Sequence, residues 1–159
     1  MRSHFAQLVL TAMKKNERIW VVTGDLGYMM WDEIRTKFPQ RFVNVGAAEQ
    51  AMMGVGVGLA LQGKIPLLYS ITPFLLYRPF ETIRNYVHHE SVPLILVGSG
   101  RDKEYDDNGF SHWAEEDKQA MKIFSHISAH WPKNNAKLDR VWHQALTSKK
   151  PYYINLSRF

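Results

Sequence analysis

The sequence predicts an α/β fold, a doubly wound, mainly parallel sheet with helices on both faces, and three observations carry the prediction. Short apolar runs alternate with segments of helical periodicity from one end of the chain to the other. The runs are continuously apolar and do not alternate apolar with polar, as strands covered on both sides require. No linker, internal repeat or low-complexity tract interrupts the 159 residues, so one domain over residues 1–159 is expected.

The elements follow in order. Phe5, Leu8, Val9, Ala12 and Met13 recur at helical spacing and define a first helix, and Arg18 to Thr23 (RIWVVT) reads as a buried strand. A helical pattern near Met30 to Lys37 leads into a strand at Phe42 to Val45, and a turn at Gly46, Ala47 and Ala48 opens a helix from Glu49 to Gln62. That helix holds Gly54, Gly56 and Gly58. Each glycine costs about 1 kcal/mol relative to alanine, so close approach of another backbone, in this chain or in another subunit, is expected there. Ile65 to Ser70 is the third strand, Phe80 to His89 a helix, and Leu94 to Gly98 the fourth strand. The segment Ser99 to Trp113 is the one long irregular stretch, and loops of that length are more often functional than filler. A helix at Glu115 to Lys122, a strand at Ile123 to Ser128, a helix at Asn135 to Ser148 and a strand at Tyr152 to Leu156 complete the pattern.

Composition narrows the function. The formal charge of +5 is scattered over Lys14-Lys15, Lys149-Lys150 and single arginines. Without a basic stripe interleaved with aromatics, a small anionic ligand is a better reading than nucleic acid. No cysteine is present, which removes disulfides, thiolate metal sites and cysteine nucleophiles and permits a reducing compartment. The first residues lack the apolar core and cleavage site of a signal peptide. The longest apolar run, Ala51 to Leu61, is about half of the roughly 20 residues a membrane span needs. A soluble, cytoplasmic protein without membrane contact is expected.

Glu49 is the candidate working residue. An acid at the head of an apolar helix can simply complement the helix dipole. Here small residues flank it just past a strand's carboxyl end, where ligands bind in open parallel sheets. Phe74, Tyr77 and Phe80 fall at three-residue intervals directly after the third strand. Such a stripe serves either the core or a platform for a planar ring. In the long loop the acidic residues do not fit a calcium loop, since Asp107 stands where glycine is needed and Trp113 where the bidentate glutamate belongs. NGFSH, Asn108 to His112, ends that loop with a histidine suited either to proton transfer or to a surface cap. His88 and His89 read as surface or helix-end residues, and no histidines fall at zinc-ligand spacing, so no metal site is expected. The phosphate-binding GxxxxGK[ST], the dinucleotide GxGxxG after the first strand and the GxSxG elbow are all missing.

These residues together resemble the pyrimidine-binding domain of transketolase-like, thiamine-diphosphate-dependent enzymes. The resemblance covers nearly the whole chain: GDL at Gly24 to Leu26, RFVNVGAAEQAMMGVGVGLALQGKIP at Arg41 to Pro66, the aromatic segment Phe74 to Arg84, NGFSH, and INLSR at Ile154 to Arg158. Gln50 after the glutamate and the SH ending of the loop are more similar to transketolase than to the beta subunits of 2-oxo acid dehydrogenases. The resemblance implies that Glu49 hydrogen-bonds N1′ of the cofactor's aminopyrimidine at a cleft completed by a second chain. There it favours the tautomer that deprotonates the thiazolium. It further implies that Phe74 and Tyr77 pack on that ring and that Asp25 and Leu26 lie near it at a subunit boundary. Arg2, Asn108, His112 and Arg158 would line the substrate channel, His112 with a catalytic part and the arginines gripping an anion. Three departures, Gly100 for a channel histidine, Met29 for a phosphate-binding serine and Asn108 for a hydroxyl-reading aspartate, bear against a standard pentose phosphate.

The family holds the cofactor's diphosphate and Mg²⁺ through a GDG motif with a later asparagine, on another domain. No such stretch is read in these residues, and the family's customary third domain after INLSR is expected to be absent. The resemblance therefore implies one subunit of a split transketolase that transfers a two-carbon ketol or related acyl carbanion unit. It would need a separate diphosphate-binding subunit that carries the Mg²⁺, in a heterotetramer. Its small-molecule substrate would be a sugar phosphate, ketose or 2-oxo acid. The alternatives are a beta-type subunit of a 2-oxo acid decarboxylating enzyme and a non-catalytic binding module that keeps the fold.

Overall fold

The computed structural model describes residues 1–159 and shows six strands in one fully parallel sheet, in the order β2-β1-β3-β4-β6-β5. The strands are β1 (Ile19–Thr23), β2 (Phe42–Asn44), β3 (Ile65–Ile71), β4 (Ile95–Ser99), β5 (Ser128–His130) and β6 (Tyr152–Leu156). The helices are α1 (Arg2–Lys15), α2 (Asp32–Lys37), α3 (Glu49–Leu61), α4 (Thr72–Tyr77), α5 (Phe80–Thr82), α6 (Asp117–Ile123) and α7 (Asn135–Thr147). A π-helical stretch, Ile83–His89, continues α5.

Alternate strand residues feed two separate cores, which is why the strands read as apolar throughout. On one face Val21, Leu67, Tyr69, Val97 and Ile154 meet Phe5, Val9 and Met13 of α1 and Leu138 and Trp142 of α7. On the other face Val22, Leu68, Leu96 and Tyr153 meet Met52, Met53 and Val57 of α3, Leu75 and Leu76 of α4, and Met121 of α6. Full burial of such a side chain is worth about 1.5–3 kcal/mol, so the two layers hold the sheet edge rigid for whatever binds there. The strand order reverses between β1 and β3, and the crevice off their carboxyl ends is the place where open sheets bind ligands.

Four expectations meet a different arrangement. The last edge strand is Ser128–His130, not Ile123 to Ser128: Ile123 ends α6 and is exposed, while Phe124 and Ile127 are buried anchors of the turn between them. The glycines of α3 do not meet a backbone of this chain. Gly56 faces the Leu68 side chain, where an added Cβ would lie 2.6 Å from Cδ1, and Gly54 and Gly58 face open space. His88 is buried, its ring 4.5 Å from that of His126 and 4.6 Å from that of His89. The aromatic stripe is split, with Phe74 and Tyr77 on α4 and Phe80 opening α5. No helix is long and apolar enough to cross a membrane.

Candidate active site

Glu49 stands in the first turn of α3, directly off the β1–β3 switch point. The route from β2 to α3 turns at Gly46, whose φ of 72° suits glycine. The Glu49 side chain then points back toward the sheet. Its Oε1 accepts a hydrogen bond from Ser70 Oγ of β3 at 3.3 Å, and an added Cβ on Gly24, at the end of β1, would lie 3.4 Å from the same oxygen. Gly24 therefore leaves the room the carboxyl group fills.

The other carboxylate oxygen is taken by Arg78, the residue after α4. Its Nη1 donates to Glu49 Oε2 at 2.6 Å, and its Cζ lies 3.9 Å from the centroid of the Phe74 ring. The Glu49 side chain is 1% exposed and that of Arg78 46% exposed. In the free chain the carboxylate is covered, and its outer cover is one half-exposed arginine side chain. Burying a carboxylate demands such a partner, since an unpaired charge in that place is costly.

Phe74 is half-buried between two neighbours, the Arg78 guanidinium on its face and the His112 ring, 4.8 Å away in an edge-on arrangement. His112 ends a 3₁₀ turn, Phe110–His112, and its Nδ1 is 3.0 Å from Ser111 Oγ. Tyr77, 40% exposed, lines a neighbouring open cavity with Phe80, Phe110 and Trp113, and its partial burial, with Glu116 and Asp117 nearby, raises its hydroxyl above the ordinary range. Glu49, Phe74 and His112 therefore gather at the carboxyl end of the sheet, while Tyr77 faces the neighbouring cavity.

Asp25 and Leu26 sit in the loop after β1. Asp25 is exposed, adopts φ of 59°, and exchanges hydrogen bonds with Asn44: its N–H donates to Oδ1 at 2.9 Å and its Oδ1 accepts from Nδ2 at 3.1 Å. The Leu26 carbonyl accepts from Thr23 Oγ1 at 3.0 Å, and its side chain packs on the α1 core.

Arg2 and Arg158 line a separate open cavity of about 520 Å³ with Tyr28 and Met29. The Nε of Arg2 is buried without a hydrogen-bond partner. Arg158 is committed locally: its Nη1 donates to the Glu104 carbonyl at 3.0 Å, and its Cζ lies 4.7 Å from the centroid of Tyr105. Asn108 is exposed at the end of a 3₁₀ turn, and Gly100 has φ of 87° with the Tyr105 ring where a Cβ would go. A histidine at residue 100 would displace that ring.

Sequence reasoning missed Arg78, Ser70 and Gly24. Arg78 had one legible signal: it lies four residues after Phe74, the helical spacing that brings a cation over a ring. Ser70 had none, being one polar residue at the end of an apolar strand.

An α/β domain with an acid at the switch point of its sheet, next to an aromatic face, defines a ligand-binding half-site of the doubly wound class. The chain belongs to the family described as transketolase, pyrimidine binding domain, whose model matches residues 1–159. It is 30% identical over 99% of its length to 49% of the 6-deoxy-6-sulfo-D-fructose transketolase subunit SqwH of a Clostridium species. It is also 30% identical over 99% of its length to 50% of a putative transketolase C-terminal section from Methanocaldococcus jannaschii. Among solved structures, a split gene transketolase described as an inactive beta4 tetramer superposes with a TM-score of 0.85 at 29% identity, covering 99% of this chain and 51% of that one. The chain spans about half the length of the curated relatives it matches.

Proposed function

We propose that this chain supplies the pyrimidine side of a thiamine-diphosphate-dependent transketolase, and that a separate diphosphate-binding subunit completes the site. The observation that carries the proposal is the Glu49 carboxyl group held by Ser70 off the β1–β3 switch point, beside the Phe74 ring. The relatives, one a transketolase subunit and one a split gene transketolase, support it. The residues fit the group: a nearly buried carboxyl can hold a proton against a ring nitrogen, and an aromatic face beside it can carry a planar ring.

When bound, thiamine diphosphate supplies the electron sink for breaking and forming a carbon–carbon bond next to a carbonyl. The protein's part is positional and acid–base. Glu49 holds the proton at the pyrimidine nitrogen, Ser70 fixes the carboxyl orientation, and Phe74 and Tyr77 pack against the ring. Asp25 and Leu26 border it on the β1 side. His112, on the far edge of Phe74, faces the substrate with Asn108, and Arg2 and Arg158 take an anionic end of a sugar-type substrate. The Arg2 side chain borders the open cavity that such an anion would enter. Mg²⁺ belongs to the partner subunit, and the assembly is a heterotetramer of two copies of each chain.

The test is reconstitution. The chain is co-purified with its diphosphate-binding subunit, the mass of the complex is measured, and ketol transfer is followed as thiamine diphosphate is titrated into wild type and Glu49→Gln. Loss of a positioned acid is worth about 10²- to 10⁴-fold, so Glu49→Gln should keep cofactor affinity by calorimetry to within a small factor and lose turnover on that scale. Full turnover with bound cofactor would overturn the assignment.

A further inference from the structure

The Arg78 guanidinium stands where a planar nitrogenous ring must stand to use Glu49 and Phe74 together. It is flat, delocalised and carries an in-plane nitrogen 2.6 Å from Glu49 Oε2, with its carbon 3.9 Å from the Phe74 centroid. An aminopyrimidine offers the same two features, a flat π-face and an in-plane nitrogen directed at the carboxyl group.

We propose that Arg78 is a built-in occupant of the ring's seat: it closes the site of the free chain by pairing with Glu49 over Phe74, and swings outward before a planar amidine-type ring enters. The inference rests on the proposed function above and adds a gate to it. Two observations show that the swing is feasible. Arg78 makes no hydrogen bond other than the one to Glu49. Its side chain is nearly half exposed, so solvent already reaches its outer side.

The closed arrangement has two physical consequences. In the free chain the Glu49 carboxylate stays out of water without being left unpaired, which a buried acid cannot otherwise do cheaply. A ligand then competes with an internal cation, and its apparent affinity falls by the fraction of molecules whose seat is open. Removing the guanidinium should therefore strengthen binding of the ring, the opposite of what loss of an ordinary binding arginine would do.

The experiment uses the full chain labelled with ¹⁵N, titrated with 4-amino-2-methylpyrimidine and, separately, with thiamine diphosphate and Mg²⁺. Backbone amides of Ser70 and Phe74 report the seat, and the Arg78 Nε–H signal reports the gate. In wild type the ring should shift both amides and move the Arg78 signal to the position of a free, rapidly exchanging arginine. Arg78→Met, which keeps the aliphatic stem and removes the charge, should bind the aminopyrimidine about tenfold more tightly or better. Arg78→Gln carries the same expectation should the methionine variant melt early by circular dichroism, and Arg78→Lys, which still pairs with Glu49, should remain near wild type. Equal or weaker binding by the uncharged variants overturns the gate. So does an unmoved Arg78 signal while the Ser70 and Phe74 amides shift, or amides that stay unshifted in wild type and uncharged variants alike. None of these outcomes decides the role of Glu49, which the reconstitution test reads from turnover.

Discussion

Glycine positions along α3 show how one residue type carries opposite consequences on one helix. Gly56 lies against Leu68, which is fully buried in β3 and has nowhere to retreat from a Cβ 2.6 Å away. Gly56→Ala should therefore destabilise the chain by about 1–2 kcal/mol through overpacking, even though alanine is the better helix former. Gly54 and Gly58 meet nothing within 4 Å, so alanine at either position should stabilise the free chain by about 0.5–1 kcal/mol. Urea melts of the three single variants check the signs, and equal signs at all three positions would contradict this packing. The same scale shows what the sequence could tell. Glu49 and Phe74 were legible because small residues and aromatic spacing mark them along the chain. The Arg78 contact was not, because its partner sits 29 residues earlier and meets it only after α3 and α4 have packed on the same face.

The stretch from Phe80 to His89 was legible as a helix by its period, but its π-helical geometry was not, since the apolar spacing that suggests an α-helix tolerates the wider turn. The π-helical stretch brings His88 inward, where its Nδ1 accepts the His126 N–H at 3.3 Å and its carbonyl faces His126 Nδ1 at 2.8 Å. Burial lowers the affinity of His88 for a proton, and the nearby His126, His89 and Arg84 lower it further. The sign follows directly. A histidine whose folded value is depressed contributes stability that is fully present above its unfolded value, about 6.5, and is lost as pH falls through the folded value. Wild type should therefore lose thermal stability on acidification below that range, and His88→Asn should flatten this part of the profile. A midpoint-versus-pH curve of the same shape in both proteins would show that the three rings are indifferent to protonation. The misplaced edge strand has a related cause. Its three residues, Ser128 to His130, are only half-buried, so they lack the apolar run that marks the inner strands, while Phe124 and Ile127 supply one just before it.

Over the whole molecule, the parallel order and both cores were legible because each strand must be apolar on two faces, whereas the polar tie across the carboxyl side of the sheet was not. That tie centres on Asp117, whose Oδ2 accepts from Trp131 Nε1 at 2.6 Å, Tyr153 hydroxyl at 3.0 Å and Asn155 Nδ2 at 2.9 Å. Asn155 Nδ2 also approaches Thr72 Oγ1 and the Gly100 carbonyl, each at 3.1 Å, and Arg101 Nε donates to Asn155 Oδ1 at 2.9 Å. One buried network thus links α4, α6, β6 and the start of the long loop that carries His112. Asp117→Ala would orphan the Trp131 and Tyr153 donors, Asn155 keeping the Gly100 carbonyl, and should cost about 3 kcal/mol, whereas Asp117→Asn can present one oxygen to all three and should cost about 1 kcal/mol or less at low pH. Burial holds the Asp117 carboxyl above its ordinary value, with the Trp131 and Tyr153 hydrogen bonds opposing. A carboxyl with a raised folded value contributes stability present below the unfolded value, about 3.9, and lost as pH rises through the folded value. The asparagine variant does not titrate, so its stability relative to wild type should improve as pH rises from about 4 toward 7. Paired denaturant melts across that interval read the difference, and an asparagine variant that instead falls further behind wild type with rising pH would mean that the ionised carboxylate is the form the network prefers.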